Sequence, residues 1–155
     1  MATNMSMFKT KGRCKTINGS VLNPENSGLR FVLLPNSIDG KTDDNVLLPV
    51  LDKRWSQIKS EMKSWYANKT GEYKYGAIKT QSVLSDTWIT HMLCQEGTKV
   101  DLVGLEACLV KVSKLALYER ASVHIAKELV DAIPELKVLA MKLFVDEGVS
   151  TYFYE

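Results

Sequence analysis

The stretch that most constrains this chain is residues 75–97, YGAIKTQSVLSDTWITHMLCQEG. Residues 77–83 alternate apolar and polar side chains, Ser85 and Asp86 supply a turn, and residues 88–94 are rich in bulky and β-branched side chains. That pattern predicts strand, turn, strand. Within it only Gly76 and Gly97 disfavour pairing, so both strands are expected in the middle of a sheet with the rest of the chain covering its two faces. A ligand is then expected at the carboxyl ends of the central strands, where open α/β sheets hold theirs.

A chain of 155 residues is one domain's worth and can bury roughly 70% of its unfolded surface without a metal or disulfide staple. With 45% apolar and 25% charged residues it has the composition of an ordinary globule. FVLLP and VLLPVL are the longest apolar runs, too short to cross a bilayer. The start, MATNMSMFKTKGR, is polar where a secretory signal has its apolar centre, so a cytoplasmic protein without a membrane partner is expected. Cys14, Cys94 and Cys108 are odd in number and widely spaced, which predicts buried, reduced thiols. Two histidines and no CxxC or HExxH spacing lead us to expect neither metal nor cofactor. Lys9, Lys11, Arg13 and Lys15 cluster near the start of a chain of net charge +2, a weak pointer to nucleic acid in a place where a short basic arm is more often a solvated tail. Nothing in the composition bears on oligomeric state.

Taken in order, residues 1–12 lack an apolar pattern and are expected to form a flexible segment ahead of a single domain over residues 13–155. Residues 13–22 alternate as a first strand, NPENSG turns the chain, and LRFVLL over residues 29–34 reads as a strand buried on both faces. Pro35 is expected to stop it. The loop Asn36-Ser37-Ile38-Asp39-Gly40 then brings small polar groups and free backbone N–H groups to the sheet edge. Asp43 or Asp44 is placed to cap a helix from Val46, interrupted at Pro49, with Trp55, Ile58, Met62 and Trp65 on one face. At that spacing the aromatic stripe reads as core rather than as a stacking platform for bases. Asp101 is the expected cap of a helix running to about Tyr118, residues 121–125 a short inner strand carrying His124, and residues 126–136 are ambiguous between loop and helix. A helix from Pro134 to Gly148 and a closing strand over residues 149–154 complete an α/β chain: a three-layer α/β/α sandwich with a mixed central sheet.

The order of these features resembles the macro domain family, which binds ADP-ribose and its derivatives. The resemblance runs from about Arg13 through NGSVL, PNSIDG, KRWSQIKSEMKSWY, YGAIKTQSV, TWITHMLCQEG, GLEACLVKVSKLA, SVHI and GVSTYFY, and looks like the small, single-domain branch. It implies that Asn36 contacts the distal ribose, with Ser37, Asp39 and Gly40 continuing that loop and Gln95 nearby. It also implies that Asp39, His124 and Asp131 are the groups able to move protons at the anomeric carbon or a terminal phosphate. Gly19-Ser20-Val21 stands where the family carries Gly-Asp-Ile, which puts Ser20 at the adenine-facing position. The glycine-rich phosphate loops are replaced by TDDNVLL and AKELVDAI.

Three functions fit this reading. One is a hydrolase acting on ADP-ribose derivatives, either an ADP-ribose 1''-phosphate phosphatase or an ADP-ribosyl hydrolase. A second is a module that binds ADP-ribose, or an ADP-ribosylated partner, without chemistry. The third is a degenerate macro domain working through protein or nucleic-acid contacts.

Overall fold

The computed structural model describes residues 10–155. Met5, Met7, Lys9 and most of the segment expected to be flexible lie outside the described residues, while the Gly12 N–H already donates to Val145 O at 2.8 Å. Seven strands form one sheet among the described residues: β1 (Cys14–Ile17), β2 (Arg30–Ser37), β3 (Ile78–Leu84), β4 (Thr87–Glu96), β5 (Lys99–Val100), β6 (Ser122–Ile125) and β7 (Thr151–Tyr154). The spatial order is β1-β7-β6-β2-β4-β3, with β5 also paired to β4. Neighbours from β1 to β4 run parallel, and β3 and β5 are antiparallel to β4. The helices are α1 (Leu48–Asp52), α2 (Ile58–Ala67), α3 (Leu102–Glu119), α4 (Lys127–Ala132) and α5 (Leu136–Leu143), with a 3-10 turn at Val145–Glu147.

The expected three layers and mixed sheet are present. Alternation along each strand assigns the faces. On one face His124 stacks on Tyr152, and across the sheet Trp65 of α2 meets His91 edge-on. On the other face Phe153 lies under Lys137 of α5, and α5 packs beside α3. Phe31, Leu33, Leu34, Ile89, Met92, Leu105, Leu109 and Phe144 are fully buried between the layers.

Several boundaries depart from expectation for physical reasons. The strand–turn–strand unit forms, but only β4 is interior: β3 is the sheet's edge, and its Lys79, Gln81 and Ser82 are not buried. Pro35 does not stop β2. β6 pairs with β2 only as far as Val32, so the N–H that Pro35 lacks would have had no strand to bond. Pro35 O instead accepts from Asn45 Nδ2 at 2.7 Å. The helix expected from Val46 is two helices, with Pro49 tolerated in the first turn of α1 and Trp55 buried in the connector between them. Neither Asp43 nor Asp44 caps α1: the N-cap is Leu47, without a side-chain bond, and Asn45 ahead of it accepts on Oδ1 from Leu47 N at 3.1 Å and Leu48 N at 2.9 Å. Asp101 caps α3 as expected, accepting from Gly104 N at 2.8 Å. Cys94 and Cys108 are buried free thiols, but Cys14 is exposed because β1 is an edge strand with a single buried residue.

Candidate functional site

The connections leaving β2 and β6 go to opposite faces of the sheet. After β2 the chain turns toward α1 and α2; after β6 it turns toward α4 and α5. Neighbouring strands whose exits diverge leave a crevice that no connection fills, and this is where a doubly wound sheet offers room for a ligand. A hollow of about 130 Å³ lies there, lined by Pro35, Asp44, Asn45 and Val46 from the β2 side, Gln95, Thr98 and Val100 from the β4–β5 turn, and Leu129, Ala132 and Ile133 from the β6 side.

The loop after β2 is tied to the β4–β5 turn. The Ser37 hydroxyl donates to Asp39 Oδ1 at 2.6 Å and accepts from Gly97 N–H at 3.0 Å, and Ile38 N–H donates to Gln95 O at 2.8 Å. Lys41 N–H donates to Asp39 Oδ1 at 3.0 Å. Ser37, then that backbone N–H, holds the Asp39 carboxyl below its usual range, so it is an anion at neutral pH. Its Oδ2 has no partner among the described residues. Tyr73, pushed up to about 12 by burial and by Tyr66, donates to Ser37 O at 3.4 Å. Gly40 has φ +77, and a Cβ there would run into the Tyr66 ring, so this turn needs glycine twice over. Gln95 donates from Nε2 to Gly97 O at 3.0 Å, and its Oε1 has no partner among the described residues.

The remaining residues singled out from sequence lie apart. Asn36 is buried beneath α2, donating from Nδ2 to Leu34 O at 3.0 Å and meeting His91 Nδ1 at 3.1 Å; His91 Nε2 meets Gln81 Oε1 at 2.8 Å. A neutral ring that accepts from Asn36 and donates to Gln81 satisfies both ring nitrogens. Desolvation, helped by Lys79, lowers His91 to about 3. His124 sits in the middle of the sheet opposite Val32, about four residues, roughly 13 Å, short of Asn36 along β2. Its Nε2 meets Ser122 Oγ at 2.7 Å and its Nδ1 meets Tyr154 Oη at 2.7 Å, and burial, then Arg30, lowers it to about 3. Asp131 is exposed on α4 and borders a separate hollow with Lys127, Lys137 and Phe153. Ser20 is exposed at the exit of β1, where its Oγ accepts from Leu22 N–H at 3.1 Å.

Ser37, Asp39, Gly40 and Gln95 are therefore brought together in one hydrogen-bonded loop system, and Gln95 alone of the expected residues lines the hollow itself. Asn36, Asp39 and His124 do not border one cavity. Asn45, Thr98 and Ala132 were missed. Asn45 had a legible signal, an amide just ahead of a helix start, where Asn side chains accept from nearby backbone N–H groups.

No protein-family model and no curated protein sequence matches this chain. Solved structures do. A macrodomain protein from Streptomyces coelicolor superposes with a TM-score of 0.78 at 19% identity, over 92% of this chain and 99% of that one. The macrodomain of Thermus aquaticus DarG gives 0.70 at 14% identity, over 93% and 99%. A protein of unknown function from Bacteroides thetaiotaomicron gives 0.83 at 17% identity, over 92% and 98%. Identities this low establish the fold, not the activity.

Proposed function

We propose that this chain, which has the macrodomain fold, is a module that binds ADP-ribose or a derivative at the carboxyl edge of β2, β4 and β6 without turning it over. The observation that carries this reading is the hollow between the diverging exits of β2 and β6, the place where the fold leaves room for a ligand. At about 130 Å³ it is smaller than the ~300 Å³ at which pockets for drug-sized ligands begin. It is therefore a seat for one ring of the ligand, with the rest lying across the tied loop of residues 36–40. Asp44 on its wall favours a sugar over a phosphate, and the Oε1 of Gln95 is an acceptor for a hydroxyl. Of the groups expected to move protons, both ring nitrogens of His124 are engaged in the core and Asp131 borders another hollow, which argues for binding over catalysis.

Calorimetry with ADP-ribose, ADP and AMP tests this. ADP-ribose is expected to bind, and Ala132→Trp, which fills the hollow, to weaken it by ~10-fold or more. Silence for all three ligands on folded protein, or unchanged affinity in the variant, sinks the reading.

One observation favours a hydrolase as the second reading: Asp39 is half-exposed and its Oδ2 has no partner among the described residues, which leaves it open to a water, although its lowered pKa makes it a weak base. Under that reading ADP-ribose 1''-phosphate or an ADP-ribosylated protein is turned over, and Asp39→Ala lowers the rate by ~10²-fold. A wild-type protein that binds either compound and leaves it intact removes it.

A further inference from the structure

Residues 53–79 carry seven Lys or Arg against two Glu, a net charge of +5, while the whole chain carries +2. The rest of the molecule is thus net acidic, and the positive charge is gathered on α2, the connectors before and after it and the edge strand β3. The same segment holds Trp55, Trp65, Tyr66, Tyr73 and Tyr75, five of the thirteen aromatic residues. The structure folds part of this into a hollow of about 310 Å³ at the β3 edge, to which Trp65, Asn68, Lys69, Tyr73 and Lys74 contribute and α3 adds Lys111. One carboxylate, Glu72, stands on its rim against three ammonium groups; the segment's other acid, Glu61, is paired with Lys79 at 3.3 Å.

The aromatic residues here are not simply core. Trp65 and Tyr73 are half-buried, so each ring keeps surface at the hollow. Both are held in place: Trp65 meets Tyr73 edge-on at 5.2 Å and His91 at 6.4 Å between centroids. Lys69 is fixed over the Tyr66 ring at 4.0 Å. Fixed aromatic rings between lysines provide stacking surface for flat bases and charge for the phosphates between them. A duplex, whose bases are already stacked, can use only the charge.

From this juxtaposition we infer that the hollow at the β3 edge binds a single strand of nucleic acid, with bases against Trp65 and Tyr73 and phosphates against Lys69, Lys74 and Lys111. The site is separate from the hollow at the carboxyl edge of the sheet and does not rest on the ADP-ribose reading.

The test is fluorescence anisotropy of a labelled twelve-nucleotide thymidine strand with the full chain between 50 and 200 mM salt. Neutralising three phosphates gives a log–log salt slope of about −2. Lys69→Glu with Lys111→Glu is expected to weaken binding ~10-fold or more and to flatten that slope by about 1.4. Lys137→Glu with Lys142→Glu, a pair on α5 away from the hollow, is expected to bind as wild type. An abasic strand of equal length is expected to bind ~10-fold more weakly than thymidine, and so is the matching duplex. No binding, equal loss in both charge-reversal pairs, or equal affinity for thymidine, abasic and duplex probes overturns the inference. ADP-ribose is titrated into the same samples, so that a chain binding only the strand refutes the earlier reading and one binding only ADP-ribose refutes this one.

Discussion

Each histidine of this chain has both ring nitrogens engaged inside the core, His91 by Asn36 and Gln81, His124 by Ser122 and Tyr154. Both are lowered from 6.5 to about 3, so between those values the unfolded chain binds protons that the native protein refuses. Stability is therefore full above pH 6.5 and falls as the pH drops, by about 1.4 kcal/mol per unit for each histidine. Asp39, also lowered from 3.8, acts in the same direction at still lower pH. Urea unfolding from pH 7.5 to 4.5 is expected to show this loss beginning near 6.5; a flat profile to pH 5 contradicts it. For the same reason His124→Gln is expected to destabilise the fold by about 2 kcal/mol, through lost or strained hydrogen bonds to two buried hydroxyls, while leaving ADP-ribose affinity within twofold. If affinity collapses in a folded His124→Gln protein, that imidazole belongs to the ligand site after all. Asn45→Ala removes the acceptor of two buried N–H groups ahead of α1 and the donor to Pro35 O, a loss of about 2 kcal/mol read from the urea midpoint.

At the scale of elements, α3 ends at Arg120 with φ +57, a left-handed residue without glycine's freedom. Arg120→Gly is expected to raise stability by about 1 kcal/mol, visible as an increase in Tm, and a decrease would contradict the assignment. α3 and the β3–β4 pair were legible because their signals are local: an Asp cap ahead of a long periodic run, and an alternating pattern closed by a polar turn. β5, two residues long, and α4, six residues long, carry too little periodicity to be read, since their existence depends on what they pack against. The extent of β2 was illegible for the same reason. Whether Pro35 ends a strand depends on where β6 stops, a fact about a segment ninety residues away. In the site, the polar loop of residues 36–40 was visible as turn chemistry. That Asn36 would turn into the core toward His91 was not, because it follows from strand register rather than from neighbouring residues.

For the molecule as a whole, the two candidate surfaces lie at different edges of the sheet. Its carboxyl edge holds a compact hollow with Asp44 on the wall, and its β3 edge holds a lysine-rich and aromatic one. No helix among the described residues is long and apolar enough to cross a membrane, and no cluster of His, Cys, Asp or Glu among them is arranged to hold a metal. The layer order and mixed sheet follow from the alternation of strands and helices, which any folded sequence with this pattern must satisfy. The ligand follows instead from a few side chains at strand exits, and those are the positions at which this chain departs from the family it resembles. Whether ADP-ribose or a derivative seats between the exits of β2 and β6 decides the proposed function. Backbone amide shifts followed by NMR during an ADP-ribose titration test it most directly. Val46, Gln95, Thr98, Leu129 and Ile133 are expected to move together with a single dissociation constant, while Lys69, Lys111 and Tyr154 stay still. Shifts absent throughout, or confined to residues away from that crevice, would contradict it.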